Sequence, residues 1–183
     1  LYWLVILATS TAGTTMSDFM DRSLELGYSV GSLILVTLLI ITLAFWRVTE
    51  KSLSVTNIKS LRGEIFYWTA ILFSNTLGTA FGDYLADNSG LGFSGGAFLI
   101  GSLLIILTLA YYFSKVSHVV LFWLAFILTR PFGATFGDLL TNPVEKGGLN
   151  FGTLGSSVIL LFILCIFILS TTIKVKRGRS TNR

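Results

Sequence analysis

The chain has 183 residues, of which 53% are hydrophobic and 12% charged, with a mean hydropathy of +0.80 and a formal net charge of +4. A soluble domain carries about 25% charged residues, so this composition excludes a soluble globular domain and predicts a polytopic membrane protein. One cysteine, Cys165, excludes an internal disulfide and any multi-cysteine metal site, and one histidine, His118, leaves no histidine-rich zinc or copper site.

The first apolar segment covers roughly 1–20; it opens on Tyr2-Trp3 and closes on Gly13-Thr-Thr-Met-Ser-Asp18. A second, almost purely aliphatic segment covers 28–46, followed by a basic connection. The pattern then returns: Tyr67-Trp68 and Gly78-Thr-Ala-Phe-Gly-Asp83 within 64–86, with an apolar partner at 93–113. It returns again as Phe122-Trp123 and Gly133-Ala-Thr-Phe-Gly-Asp138 within 118–141, with a partner at 151–173 and a basic tail. Trp to Gly is ten residues in every copy, Gly to Asp five, and a further glycine follows nine residues after each aspartate, at Gly27, Gly92 and Gly147. About 20 residues suffice for one helix across a ~30 Å hydrocarbon core. The alternation that a membrane barrel needs is absent. The expected fold is therefore all-α and transmembrane, with six spans in three tandem two-helix repeats at 1–63, 64–117 and 118–183.

Two spans per repeat give every repeat the same orientation, so the repeats are parallel and related by an axis along the membrane normal. The charges agree. Arg47, Lys51, Lys59, Arg62, Lys115, Lys174, Lys176, Arg177, Arg179 and Arg183 lie after the second helices, whereas only Arg22 and Lys146 lie within the short connections. The positive-inside rule then places the C-terminus in the cytoplasm and the motif aspartates toward the outer face. The aromatic pairs read as interface anchors at the inner boundary. Fifteen residues of helix set each aspartate about 22 Å beyond its Trp, in the outer third of the core.

A carboxylate near the end of an apolar run is costly, about 2.5–3.5 kcal/mol at the bilayer centre and less nearer the interface. Its recurrence at one equivalent position points to a shared task. Asp18, Asp83 and Asp138 are the candidate cation or proton carriers and the candidate metal ligands. One turn before each glycine stands a hydroxyl, Thr9, Ser74 or Thr129; the next position differs, being Ser10, Asn75 and Arg130. Asp with the neutral oxygens of Asn75, Thr9, Ser74 and Thr129 suits hard ions such as Mg²⁺, Ca²⁺, Mn²⁺, Na⁺ or H⁺. Gly13, Gly78, Gly82, Gly133 and Gly137 form small-xxx-small spacings that let helices approach closely. Arg130, followed by Pro131, stands about 12 Å and two turns before Asp138. It reads either as a counter-charge to a motif aspartate or as a side chain snorkelling toward the inner interface.

The runs Phe66-Tyr67-Trp68 to Asp83 and Phe126-Ile-Leu-Thr-Arg-Pro-Phe-Gly-Ala-Thr-Phe-Gly-Asp138 resemble a bacterial family of uncharacterised multi-pass, membrane-anchored proteins built of tandem two-helix repeats. The resemblance covers the whole chain. It implies four repeats and eight spans in a full protein, of which this chain, opening on Leu1, carries three, and it implies the bacterial inner membrane. The acidic motifs are also similar, by analogy, to those of cation/proton exchangers that move Mn²⁺ or Ca²⁺.

The expected function is a transporter of a small cation, such as Mn²⁺, Ca²⁺ or Mg²⁺ as substrate, with proton coupling as an option. No enzymatic activity and no covalent cofactor are expected. The alternatives are an oligomeric cation channel and a non-transporting regulatory or interaction protein. Membrane lipids are the expected partners, a homo-oligomer is left open, and nucleic acid is not expected.

Overall fold

The computed structural model of the chain describes residues 2–55, 58 and 60–181; Leu1, Lys59 and Arg183, which entered the reading above, lie outside them. Among the described residues every regular element is helical and no strand occurs. The helices are α1 (Tyr2–Asp18), α2 (Gly27–Glu50), α3 (Leu61–Asp83), α4 (Gly92–Phe113), α5 (His118–Thr141) and α6 (Gly152–Thr181). These are the six expected segments, and α6 continues into the basic tail. Four of them, α2, α4, α5 and α6 as far as Ile173, are long and apolar enough to cross a membrane. Among the described residues, α1, 17 residues long, and α3 are not in that group. Hydroxyls at Thr9, Ser10, Thr11, Thr14, Thr15 and Ser17 dilute α1, and Arg62, Glu64, Ser74, Asn75 and Thr76 dilute α3.

The chain forms two compact units, residues 1–136 and 137–183. In the first unit α3 is the hub. It packs against both α1 and α2, and it buries Ala70, Ile71, Ser74, Asn75, Thr76, Leu77, Gly78, Ala80 and Gly82. Helix α2 meets it with a seam at Ser32, Leu35, Leu39, Thr42 and Trp46, spaced alternately by three and four residues, as knobs-into-holes packing requires. The core joins Met20, Leu35, Leu39, Trp46, Ala70, Leu77, Ala80 and Trp123.

At the basic end Trp123 corrects the reading of its pair as a simple interface anchor, while its neighbour Phe122 stays exposed. Trp46 and Trp123 are 2% and 4% exposed, so they are core. Their rings meet edge to face at 5.7 Å, Tyr67 packs on Trp46 at 6.3 Å, and the Trp123 indole donates to the Leu53 carbonyl at 3.1 Å. That bond ties the connection after α2 to α5 at Leu53. The connection ends on Ser60, whose hydroxyl accepts from Gly63 N at 2.9 Å to cap α3 and donates to the Glu50 carboxylate at 2.6 Å.

Close helix approach follows the small residues. A Cβ on Gly13 would lie 2.6 Å from the Cβ of Asn75, one on Gly82 would lie 2.8 Å from that of Ala134, and one on Gly78 would overlap the Cβ of Arg130. Gly13, Gly78 and Gly82 thus stand at close helix approaches. Among the described residues a Cβ on Gly133 or Gly137 would meet nothing within 4 Å. Helix α4 reaches α5 through Gly96, whose added Cβ would meet Thr135 at 3.2 Å, and Gly101, whose would meet Phe132 at 3.3 Å.

In the second unit the end of α5 turns back sharply. Pro143 cannot continue the helix. The backbone N–H groups of Leu149, Asn150 and Phe151 return to the carbonyls of Leu139, Asn142 and Leu140 at 2.7, 2.8 and 3.0 Å. The Thr141 hydroxyl donates to Ser156 Oγ at 3.1 Å, fixing the start of α6.

Candidate functional site

The first two motif aspartates end their helices in the same way. Asp18 is followed by a π-helical turn at Phe19–Ser23 and Asp83 by one at Tyr84–Asn88, at matching positions of the two repeats. Such turns widen the helix and recur at functional positions. The glycine nine residues after each aspartate has a positive φ in all three copies: +73° at Gly27, +66° at Gly92 and +82° at Gly147. This left-handed conformation is open to glycine at little cost, which explains the invariant spacing within the chain. The third copy departs after Asp138: α5 stays regular to Thr141, and Pro143 and a 3₁₀ turn at Val144–Lys146 replace the π turn.

These turns gather acidic groups at one end of α1, α2 and α3. Asp18 Oδ1 lies 3.9 Å from Arg22 Nε, both side chains being largely open to solvent. Asp21 is more enclosed. Its Oδ2 accepts from the buried Ser17 hydroxyl at 3.4 Å, while Oδ1 is buried with no protein donor. Oδ1 lies over Gly31 of α2, where a Cβ would stand 2.8 Å away. Burial pushes the Asp21 carboxyl above the ordinary carboxylate range; the Ser17 hydrogen bond opposes this, Asp18 adds to it, and Arg22 opposes it. Tyr28, in the first turn of α2, lies within electrostatic reach of Asp83, Asp87, Asp21 and Arg22. Asp18 and Asp83 therefore belong to one acidic end, linked through Asp21 and Tyr28. Asp138 lies in the second unit, half-buried, its carbonyl accepting from Asn142 Nδ2 at 3.1 Å. Among the described residues no three of His, Cys, Asp and Glu are placed to hold one metal ion.

The neutral oxygen donors divide into two groups. Thr9 donates to the carbonyls of Val5 and Ile6 at 2.8 and 3.1 Å, and Thr129 donates to Phe126 at 2.8 Å. Both hydroxyls have spent their hydrogen on their own helix and keep lone pairs. Ser74 and Asn75 differ: they are 0% and 6% exposed, and among the described residues neither the Ser74 hydroxyl nor either Asn75 amide atom has a partner. Ser32 Oγ on α2 is also buried without one. Arg130 carries its guanidinium 5.0 Å from the centre of the Phe126 ring, one turn toward the start of α5, with Tyr67 in electrostatic reach. Its side chain runs toward the aromatic end, the direction that snorkelling requires.

Sequence reasoning passed over Asp21, because Ala86 and Thr141 occupy its place in the other copies. The available signal was Ser17, one turn earlier, and Gly31, which leaves room for a carboxylate.

The chain is thus an all-helical protein of tandem two-helix repeats with four helices fit to span a bilayer, an acidic end and an unpaired polar interior. It belongs to the family described as a repeat of unknown function (DUF347), whose model matches residues 1–52, 66–117 and 121–175. No curated protein and no solved structure matches it.

Proposed function

We propose that this chain is an integral membrane transporter of a small hard cation, a divalent metal such as Mn²⁺ or Ca²⁺, with protons as the coupled ion. It resides in a bacterial inner membrane with its C-terminus in the cytoplasm, and it is not an enzyme. The observation that carries the reading is Asn75. A buried amide with both polar atoms unpaired costs about 1–3 kcal/mol per group, a large fraction of the stability of a small bundle. A helix interior retains such a group when something from outside the chain pairs with it. Asn75 and Ser74 offer hard oxygens, and two turns further along α3 stands Asp83 in the acidic end. Carboxylates taken one or two at a time, with neutral oxygens and retained water, are an adequate shell for Mg²⁺-like or Ca²⁺-like ions. Asp21, held partly desolvated, is suited to exchange a proton as a cation arrives.

The test is reconstitution of the protein in liposomes and measurement of radiolabelled Mn²⁺ and Ca²⁺ flux, with and without a proton gradient. Flux should disappear in Asp18→Asn, Asp83→Asn and Asp138→Asn. Asn75→Ala should also lose flux while keeping or gaining stability, since it deletes an unpaired polar group. Normal flux in Asp83→Asn would overturn the assignment of the site. No flux of any cation in folded wild-type protein would favour a regulatory or interaction role.

A further inference from the structure

Helices α4 and α5 approach closely on both sides of a gap. Toward the acidic end a Cβ on Gly101 would lie 3.3 Å from the Phe132 ring. At the basic end the rings of Tyr111 and His118 stand with centroids 4.7 Å apart. Between these contacts the two helices leave a space of about 470 Å³, walled by Leu104, Leu107 and Thr108 of α4 and by Leu121, Ala125 and Thr129 of α5. All of these residues belong to the first compact unit. The walls offer little to a polar guest, because Thr108 and Thr129 each donate to a carbonyl of their own helix at 2.8 Å. Water suits such an apolar space poorly, and an unfilled one forfeits the dispersion contacts of its lining. From Leu104 to Tyr112 the gap follows eight helical steps, about 12 Å, close to the depth of one leaflet of a ~30 Å core.

The basic end of the gap is different in kind. Tyr111, Tyr112 and His118 rim it. Lys115 stands in the short connection between the two helices; it is the only charged residue between Asp87 and Arg130, and among the described residues it has no acidic partner. An apolar slot one leaflet deep that ends in phenols and an unpaired cation is complementary to a molecule with an acyl chain and an anionic head. We propose that α4 and α5 hold a phospholipid with an anionic headgroup, one acyl chain in the gap and the phosphate against Lys115 and His118. This goes beyond the transport reading: it requires α4 and α5 to lie in a bilayer, and it holds whichever ion crosses.

The test uses the full chain in vesicles of equal parts phosphatidylcholine and phosphatidylglycerol. A trace of either lipid, carrying a diazirine on its acyl chain, is photolysed, and the labelled peptides are identified by mass spectrometry. Phosphatidylglycerol should label residues 104–112 and 118–129 above the other helices, and about fivefold more than phosphatidylcholine does. Thr108→Phe and Ala125→Phe fill the gap from opposite walls, and each should abolish that excess; either one with wild-type helical content is enough to decide. Lys115→Ala should leave the labelled positions unchanged and remove the headgroup preference. Label spread evenly over α2, α4, α5 and α6 would show bilayer contact only and overturn the proposal. So would undiminished labelling in a folded, gap-filled variant, or equal labelling by the two lipids. If this pattern appears and no cation flux is found, the transport reading falls and the lipid site stands.

Discussion

Gly78→Ala tests the central packing claim with one added methyl group. Its Cβ would overlap the Cβ of Arg130 and would stand 3.2 Å from both the Cα and the carbonyl carbon of that residue. Carbon atoms rest at about 3.5–4.0 Å, so α3 and α5 must part by several tenths of an ångström against backbone that cannot swing aside. Overpacking of this kind costs about 1–3 kcal/mol. Alanine recovers about 1 kcal/mol of helix propensity over glycine, leaving a net loss of up to about 2 kcal/mol, and a deficit of about 1–3 kcal/mol against the matched control described next. Gly133→Ala is the matched control: it makes the same chemical change at the equivalent position of the next repeat, where the space is open, and keeps only the propensity gain. Unfolding of monomeric protein in dodecylmaltoside by titration with SDS, followed by far-ultraviolet circular dichroism, should place the midpoint of Gly78→Ala below wild type and that of Gly133→Ala at or above it. If Gly78→Ala proves as stable as Gly133→Ala, the close crossing of α3 and α5 is refuted.

Two further outcomes follow from single contacts. Because burial raises the folded-state pKa of Asp21 above its unfolded value, the group favours the fold most at pH below the ordinary carboxylate range, and that contribution fades as pH rises through the raised value. Asp21→Asn should remove this part of the pH slope of SDS unfolding, and an unchanged slope would show that Asp21 is not desolvated. Trp123→Phe deletes the donor to the Leu53 carbonyl, worth about 1 kcal/mol; it should loosen the 51–60 connection and speed its limited proteolysis, and an unaltered cleavage rate would mean the bond does not hold that segment.

The helices were legible because the repeat prints each of them three times. The boundaries 28–46 and 93–113 fall within α2 and α4, and 118–141 coincides with α5. The glycines nine residues after each aspartate are plain in the sequence as a spacing, but the positive φ they serve is not. What stayed hidden depended on environment rather than on pattern. Trp123 looks like an anchor in a linear reading, since an aromatic at a span end carries no mark of which way it faces. The π turns after Asp18 and Asp83 have no residue signature. Asp21 has no counterpart in the other copies, so a search for matched acids missed a carboxylate that burial pushes above the ordinary range. In the third repeat Pro143 ends α5 in a way that motif spacing alone does not register.

The burial of α3 bears on how such a chain is made. Its central polar residues, Ser74, Asn75 and Thr76, are packed among neighbours, whereas α6 shows its apolar side chains on nearly every face. Entry into a bilayer from the translocon is decided largely by the apolar character of each segment as it emerges, and α3 presents little of it. In a membrane setting α3 is expected to enter as the companion of α2, already synthesised, or of α4, following within ten residues, its amide and hydroxyl groups shielded by helix neighbours from the outset. The polar interior would then set the order of biogenesis: pairing of helices precedes, and permits, the insertion of the central one.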